Sequence, residues 1–221
     1  MKRPKQRLRH VVDSLLTLLT LCLMAYQVAG GAVHEWSGVA MTVLLVLHHV
    51  LNRRWYGALF KGRYSARRIL ASAINVLLLV SVVLTAVCGM GMSCSAVPFL
   101  YGLLPIPFAQ RFHLAMSFWS FVLMGLHLGL HLPALAGGKR VSGRAKRAIV
   151  GASVLVAAVG AWLFIKNGIP GYLFFRAPFA MFDYTKSLLR VLLENLAMLA
   201  LFIAVGAACA SVTGNHKRGD A

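Results

Sequence analysis

The chain has 221 residues, of which 59% are hydrophobic and only 13% charged, and its formal net charge is +18. Soluble domains carry about twice that share of charged side chains, so the composition excludes an ordinary soluble enzyme and points to a single membrane domain. Nucleic-acid binding is excluded by how the charge is distributed. Eighteen of the 23 Lys and Arg fall in four segments: before Val11, between Arg53 and Arg68, between Lys139 and Arg147, and after Asn215. Basic segments that alternate with poor ones mark the cytoplasmic loops of a multi-pass membrane protein, where they also meet anionic lipid.

In chain order, a basic arm, Met1 to His10, precedes a first apolar run over Val11–Gly30. That run is close to the ~20 residues a span needs, and it reads as a retained helix rather than a cleaved leader. A second helix is predicted over Glu35–Leu51, closed by Arg53 and Arg54. The basic loop Asn52–Arg68 sets Trp55 and Tyr56 at the interface. A third, uncharged helix covers Ile69–Met90. The loop Gly91–Arg111, with Pro98, Pro105 and Pro107, is apolar enough to lie on the membrane. A fourth helix covers Phe112–Leu132 and ends near Pro133 and the basic loop Gly137–Arg147. A fifth covers Ala148–Ile165. The aromatic connection Asn167–Ser187 reads as interfacial, and a sixth helix covers Leu188–Val212. Six spans set both termini in the cytoplasm. The expected architecture is an all-α membrane bundle: a four-helix core over 1–136, then two further spans over 137–221.

The chemistry lies in two apolar stretches. Each holds two histidines fourteen residues apart, His34 and His48 in one, His113 and His127 in the other. Fourteen helical residues rise about 21 Å in just under four turns, so each pair lies nearly on one face. In a six-span topology the second and fourth helices run the same way. His34 is then level with His113 near the outer surface, and His48 with His127 near the inner one. Two imidazoles are good axial ligands for iron and make a low-spin electron-transfer centre. The expected cofactors are therefore two haems b, with His34, His48, His113 and His127 on the metal. Gly38 and Ser117, one turn along each face, leave room for a porphyrin. Arg111 at the outer end and Arg53 and Arg54 at the inner end are candidate partners for propionates. His49 and His131 are alternatives to His48 and His127, or hold a propionate or a quinone oxygen.

The simpler readings are a polar contact between helices and an ion or proton path lined by histidine. A cation transporter normally adds carboxylates, and the whole chain has five. Four histidines in two matched pairs favour haem. Gly125 and Gly129, on the face opposite His127, read as a seam for helix packing. Asp13 reads as a charge at a helix N-terminus. Cys88 and Cys94 are small apolar side chains near one membrane surface, and without a Cys-x-x-Cys-His no covalent haem attachment is signalled.

Several segments also carry a resemblance. They are His34-Glu35-Trp36-Ser37-Gly38, Leu47-His48-His49-Val50-Leu51-Asn52-Arg53-Arg54-Trp55-Tyr56, Arg111-Phe112-His113 and Leu126-His127-Leu128-Gly129-Leu130-His131. With Phe179–Tyr184 and Glu194–Ala197, they resemble the flavinylation-associated cytochrome family over nearly the whole chain. The resemblance implies a bacterial b-type cytochrome that passes electrons across the cytoplasmic membrane to extracytosolic flavin-bearing proteins. It also implies ligands at His34, His48 or His49, His113, and His127 or His131. A close alternative is the haem-binding anchor subunit of a respiratory dehydrogenase or hydrogenase, with a membrane quinone as partner. The non-redox alternative is a His-lined cation transporter or a helical scaffold.

Overall fold

The computed structural model describes residues 4–135, 142–177, 179–181 and 183–215. Among them the chain is helical throughout, with no strand. The helices are α1 (Pro4–Leu23), α2 (Tyr26–Ala29), α3 (Gly31–Leu51), α4 (Arg54–Leu59), α5 (Ala66–Met90), α6 (Ile106–Leu135), α7 (Gly143–Lys166), α8 (Ile169–Leu173) and α9 (Leu188–Asn215). Parts of the expected basic loop after Gly137, Phe182 in the aromatic connection, and the basic tail from His216 lie outside the described residues.

Four of these helices are long and apolar enough to cross a membrane, α5, α6, α7 and α9. That makes the chain a membrane protein by length and composition. The other two expected spans, α1 and α3, fall short for identifiable reasons. The first turns of α1 hold Lys5, Arg7, Arg9 and His10, and Asp13 follows. In α3 the polar residues are His34, Glu35, His48 and His49. The residues that lower the hydropathy of α3 are those that carry its chemistry.

Several boundaries differ from the sequence expectation. The basic arm is helical from Pro4, because Lys, Arg and Gln are good helix formers and Pro suits a first turn. The first apolar run is broken by a turn at Met24–Ala25 and continues as the short α2. Gly30, at φ 80°, then reverses the chain into α3, a conformation glycine adopts without strain. The loop after Arg53 contains α4. The loop after Gly91 ends at Pro105, since Pro107 sits in the first turn of α6, where its missing N–H costs nothing. Helix α6 also runs past Pro133 to Leu135. In α7, the Ser142 hydroxyl accepts from the Ala145 amide as an N-cap, 3.3 Å away.

The chain forms two compact units built from interleaved segments. The first comprises Met1–Arg63, Thr85–His113 and Met181–Leu192. In it α1 runs antiparallel along α3, burying Val12, Leu16 and Thr20. The Arg9 guanidinium donates to the Leu51 carbonyl at 2.6 Å, a cation on the free carbonyls at the C-terminal end of α3. At the other end Glu35 ties down the loop after α5. Its Oε2 accepts from the Ser93 hydroxyl at 2.7 Å and from the Ser95 and Ala96 amides at 2.7 and 2.9 Å. That loop is thereby fixed beside the start of α3.

The second unit comprises Tyr64–Leu84, Leu114–Ala180 and Leu193–Ala221. Ile74, Leu130 and Ala210 form part of its core, with Leu70, Ala71, Leu126 and Cys209 packed around them. Gly125 and Gly129 form the expected seam. A methyl group on Gly129 would overlap the Ile203 carbonyl, and one on Gly206 would overlap the Leu126 carbonyl. Gly160 meets the Ala197 carbonyl in the same way, joining α7 to α9. Backbones at this range leave no room for a side chain at Gly129, Gly160 or Gly206. The aromatic connection is only partly interfacial. Tyr172 is buried and stacks on Phe118 at 4.9 Å, and the Trp119 indole donates to the Leu173 carbonyl at 3.0 Å. Phe174, Phe179 and Tyr184 are exposed.

Candidate functional site

Helical phase brings histidines of the first unit together. His34, in the first turn of α3, faces His113, in the second turn of α6, with ring centroids 5.9 Å apart and planes at 75°. Imidazole nitrogens bind first-row metals at about 2 Å. Two imidazoles on opposite sides of one metal therefore have ring centres about 6 Å apart. The His34–His113 separation fits that value.

The hydrogen bonds define the free nitrogens. His113 Nδ1 lies 2.9 Å from the Thr85 carbonyl oxygen, which can only accept. The proton is therefore on Nδ1, and Nε2 keeps its lone pair. His34 Nδ1 is buried and makes no close hydrogen bond, though the Leu23 carbonyl lies near enough to act on the ring. The edge of Tyr26 packs against the His34 ring at 5.0 Å. Gly89 seats the His113 ring, since a methyl group there would lie 3.0 Å from its Cε1.

His48 lies fourteen residues further along α3, and its Nδ1 is 2.7 Å from Asp13 Oδ1 on α1. The Asn52 side-chain amide donates to the His48 carbonyl at 2.9 Å and also lies 3.5 Å from His48 Nδ1, the weaker of the two contacts to that ring nitrogen. His49 points elsewhere: its Nδ1 meets the exposed Tyr56 hydroxyl at 2.7 Å. In the second unit, His127 Nδ1 is 2.7 Å from Asn75 Oδ1 on α5. His131 is exposed, with its ring 4.7 Å from that of His127.

Three imidazoles thus share one feature, an oxygen against Nδ1. Metal-ligating histidines are held this way, the partner fixing both tautomer and ring orientation. The three partners differ: a backbone carbonyl for His113, a side-chain amide for His127, and a carboxylate for His48. Asp13 therefore orients a histidine in the middle of α1 and does not act as a helix N-terminal charge.

The remaining expected residues divide. Gly38 has open space beside it, since a methyl group there would meet nothing within 4 Å. The Ser117 hydroxyl folds back onto the Leu114 carbonyl at 2.9 Å. Arg53, Arg54 and Arg111 are exposed. Cys88 is buried and Cys94 exposed, and both are free thiols. A shallow groove of about 430 Å³ between α1 and α3 is lined by Leu19, Val33 and Trp36, on the face of α3 away from His34.

Sequence reasoning missed Asp13, Asn75, Thr85, Gly89 and Arg9. Asn75 had a signal, as a lone amide in an uncharged span. Thr85 acts through its backbone and had none. Among the described residues no three His, Cys, Asp or Glu side chains gather as a protein-only metal cage would require. Compared with protein-family models, curated proteins and solved structures, the chain matches none.

Proposed function

We propose that this chain is a b-type cytochrome of the bacterial cytoplasmic membrane that carries electrons across the bilayer on two bis-histidine haems. The observation that supports it most is the facing of His34 and His113 at 5.9 Å, with His113 held through Nδ1 by the Thr85 carbonyl. His34 and His113 would hold one haem. His48 and His127 would hold the other, a pairing that rests on the equal fourteen-residue spacing. Held by two neutral imidazoles, a bound haem would supply one-electron chemistry. The protein's part is to fix those ligands, exclude water and set the potentials.

Preference for His48 over His49 follows from their partners, a carboxylate against an exposed phenol. Preference for His127 over His131 follows from Asn75 and from the exposure of His131. In this reading α1 and α3 complete six spans, with both termini in the cytoplasm. The resemblance described above supplies the acceptors, extracytosolic flavin-bearing proteins. A reduced-minus-oxidised spectrum of the purified full chain, with haem stoichiometry, tests the proposal. Two low-spin haems per chain are expected. A chain expressed with ample haem that shows no Soret band would sink it.

A further inference from the structure

The three histidine partners are unequal, and the difference bears on the potentials of the two haems. This inference rests on the ligand assignment just proposed. Thr85 offers His113 a neutral carbonyl at 2.9 Å, and Asn75 offers His127 a neutral amide oxygen at 2.7 Å. Asp13 offers His48 a carboxylate at 2.7 Å. Hydrogen bonds to an ionised acceptor are roughly twice as strong as neutral ones.

The carboxylate is also uncompensated. Among the described residues no Lys or Arg nitrogen lies within 4 Å of Asp13. Arg9, one helical turn earlier, directs its guanidinium to the Leu51 carbonyl instead. Among the described residues the carboxylate thus pairs with the His48 ring, from a side chain that is 45% exposed to solvent. A carboxylate that draws on the Nδ1 proton makes Nε2 a stronger electron donor. Stronger donation favours ferric over ferrous iron, and hydrogen bonding to an axial ligand is one of the ways a protein sets a haem potential.

We infer that Asp13 is a positioning residue that lowers the reduction potential of the haem held by His48 below that of the haem held by His34 and His113. The two centres are then unequal by construction, the more reducing one at the Arg9–Asp13 end of α1 and α3.

Redox titration of the purified full chain, wild type beside Asp13→Asn, tests this. Asparagine keeps the size and an acceptor oxygen, so His48 stays oriented while the charge is lost. The lower of the two potentials should rise by at least tenfold in the equilibrium constant for reduction, which is 59 mV for one electron. The higher potential and the haem content should not change. Asp13→Glu, which keeps the charge, should titrate like the wild type. His48→Ala should remove the lower-potential haem even if Asp13→Asn fails to fold. Two haems with unmoved potentials in Asp13→Asn, or loss of the higher-potential haem in His48→Ala, would overturn the inference. A wild-type chain without haem would instead overturn the ligand assignment beneath it.

Discussion

His48 Nδ1 and Asp13 Oδ1 lie 2.7 Å apart across thirty-five positions of sequence. This contact joins the middle of α1 to the last turns of α3. It also separates two adjacent histidines by role. A single helical step of about 100° turns His49 away from α1 to the exposed Tyr56 hydroxyl. Of the two, His48 takes its partner from α1, and His49 takes its partner from the short α4 that follows α3.

The His34–His113 pair gives the most direct test by mutation. His34 and His113 face each other at 5.9 Å, and neither can be replaced by another donor in the same position. His34→Ala and His113→Ala should each remove about half of the bound haem, leaving one low-spin centre. Haem extraction and quantification on each purified variant checks this. Full haem content in both would refute the pairing.

Asn75 should matter as much as a ligand's neighbour normally does. Asn75→Leu keeps the volume and removes the oxygen that accepts from His127 Nδ1. Loss of such a partner typically weakens metal binding by about 10–100-fold. The rate of haem loss to an excess of apo-acceptor should rise by that order, with the helix content unchanged. An unaltered rate would show that Asn75 only packs.

Glu35 should control the loop between α5 and α6. Its carboxylate accepts from the Ser93 hydroxyl and from the Ser95 and Ala96 amides. Hydrogen bonds to a charged group contribute about 1.5–3 kcal/mol each. Glu35→Gln retains one acceptor oxygen but loses the charge. Amide exchange at Ser95 and Ala96 should accelerate about tenfold or more, 1.4 kcal/mol being a factor of ten, while amides in the middle of α5 hold their rates. Unchanged protection of the loop would show that Pro98 and Pro105 suffice to shape it.

Two glycines should respond in opposite directions to the same substitution. Gly129→Ala drives a methyl group into the Ile203 backbone, which cannot rotate aside. Overpacking of this kind costs about 1–3 kcal/mol and should lower the thermal midpoint in detergent. Gly38→Ala meets nothing in the protein and gains up to about 1 kcal/mol of helix propensity. If a porphyrin lies beside Gly38, the same methyl group should still reduce haem content. A variant both more stable and fully loaded with haem would remove Gly38 from the site.

Much of this was legible in the sequence, and the gaps have physical causes. The apolar runs mark the long helices, and the repeated spacing of the histidines marks a shared face, because both are periodic signals. The helix start at Pro4 was hidden by side chains that suit helices and polar surfaces equally, and the start at Ile106 by Pro107, a residue common in loops as well as in first turns. The break at Met24–Ala25 has no glycine or proline to announce it. Asp13 looked like a helix-end charge because α1 seemed to begin at Val11, and with the helix extended to Pro4 the same residue falls mid-helix. The Thr85 partner is a main-chain oxygen, which no residue type encodes. Distance along the chain hid the Asn75–His127 contact, which spans fifty-two positions.

The glycine seam has a consequence for speed. Where Gly129 and Gly206 let α6 and α9 touch backbone to backbone, no side chain lies between them to change rotamer. His127 stands two residues from that contact, on a helix clamped by it. Close-packed interiors yield only slightly to a new force, and dipoles already fixed in place need not reorient when a charge arrives. The surroundings of His127 are therefore stiff, and under the proposed function such a matrix would keep the reorganisation energy of an electron hop small.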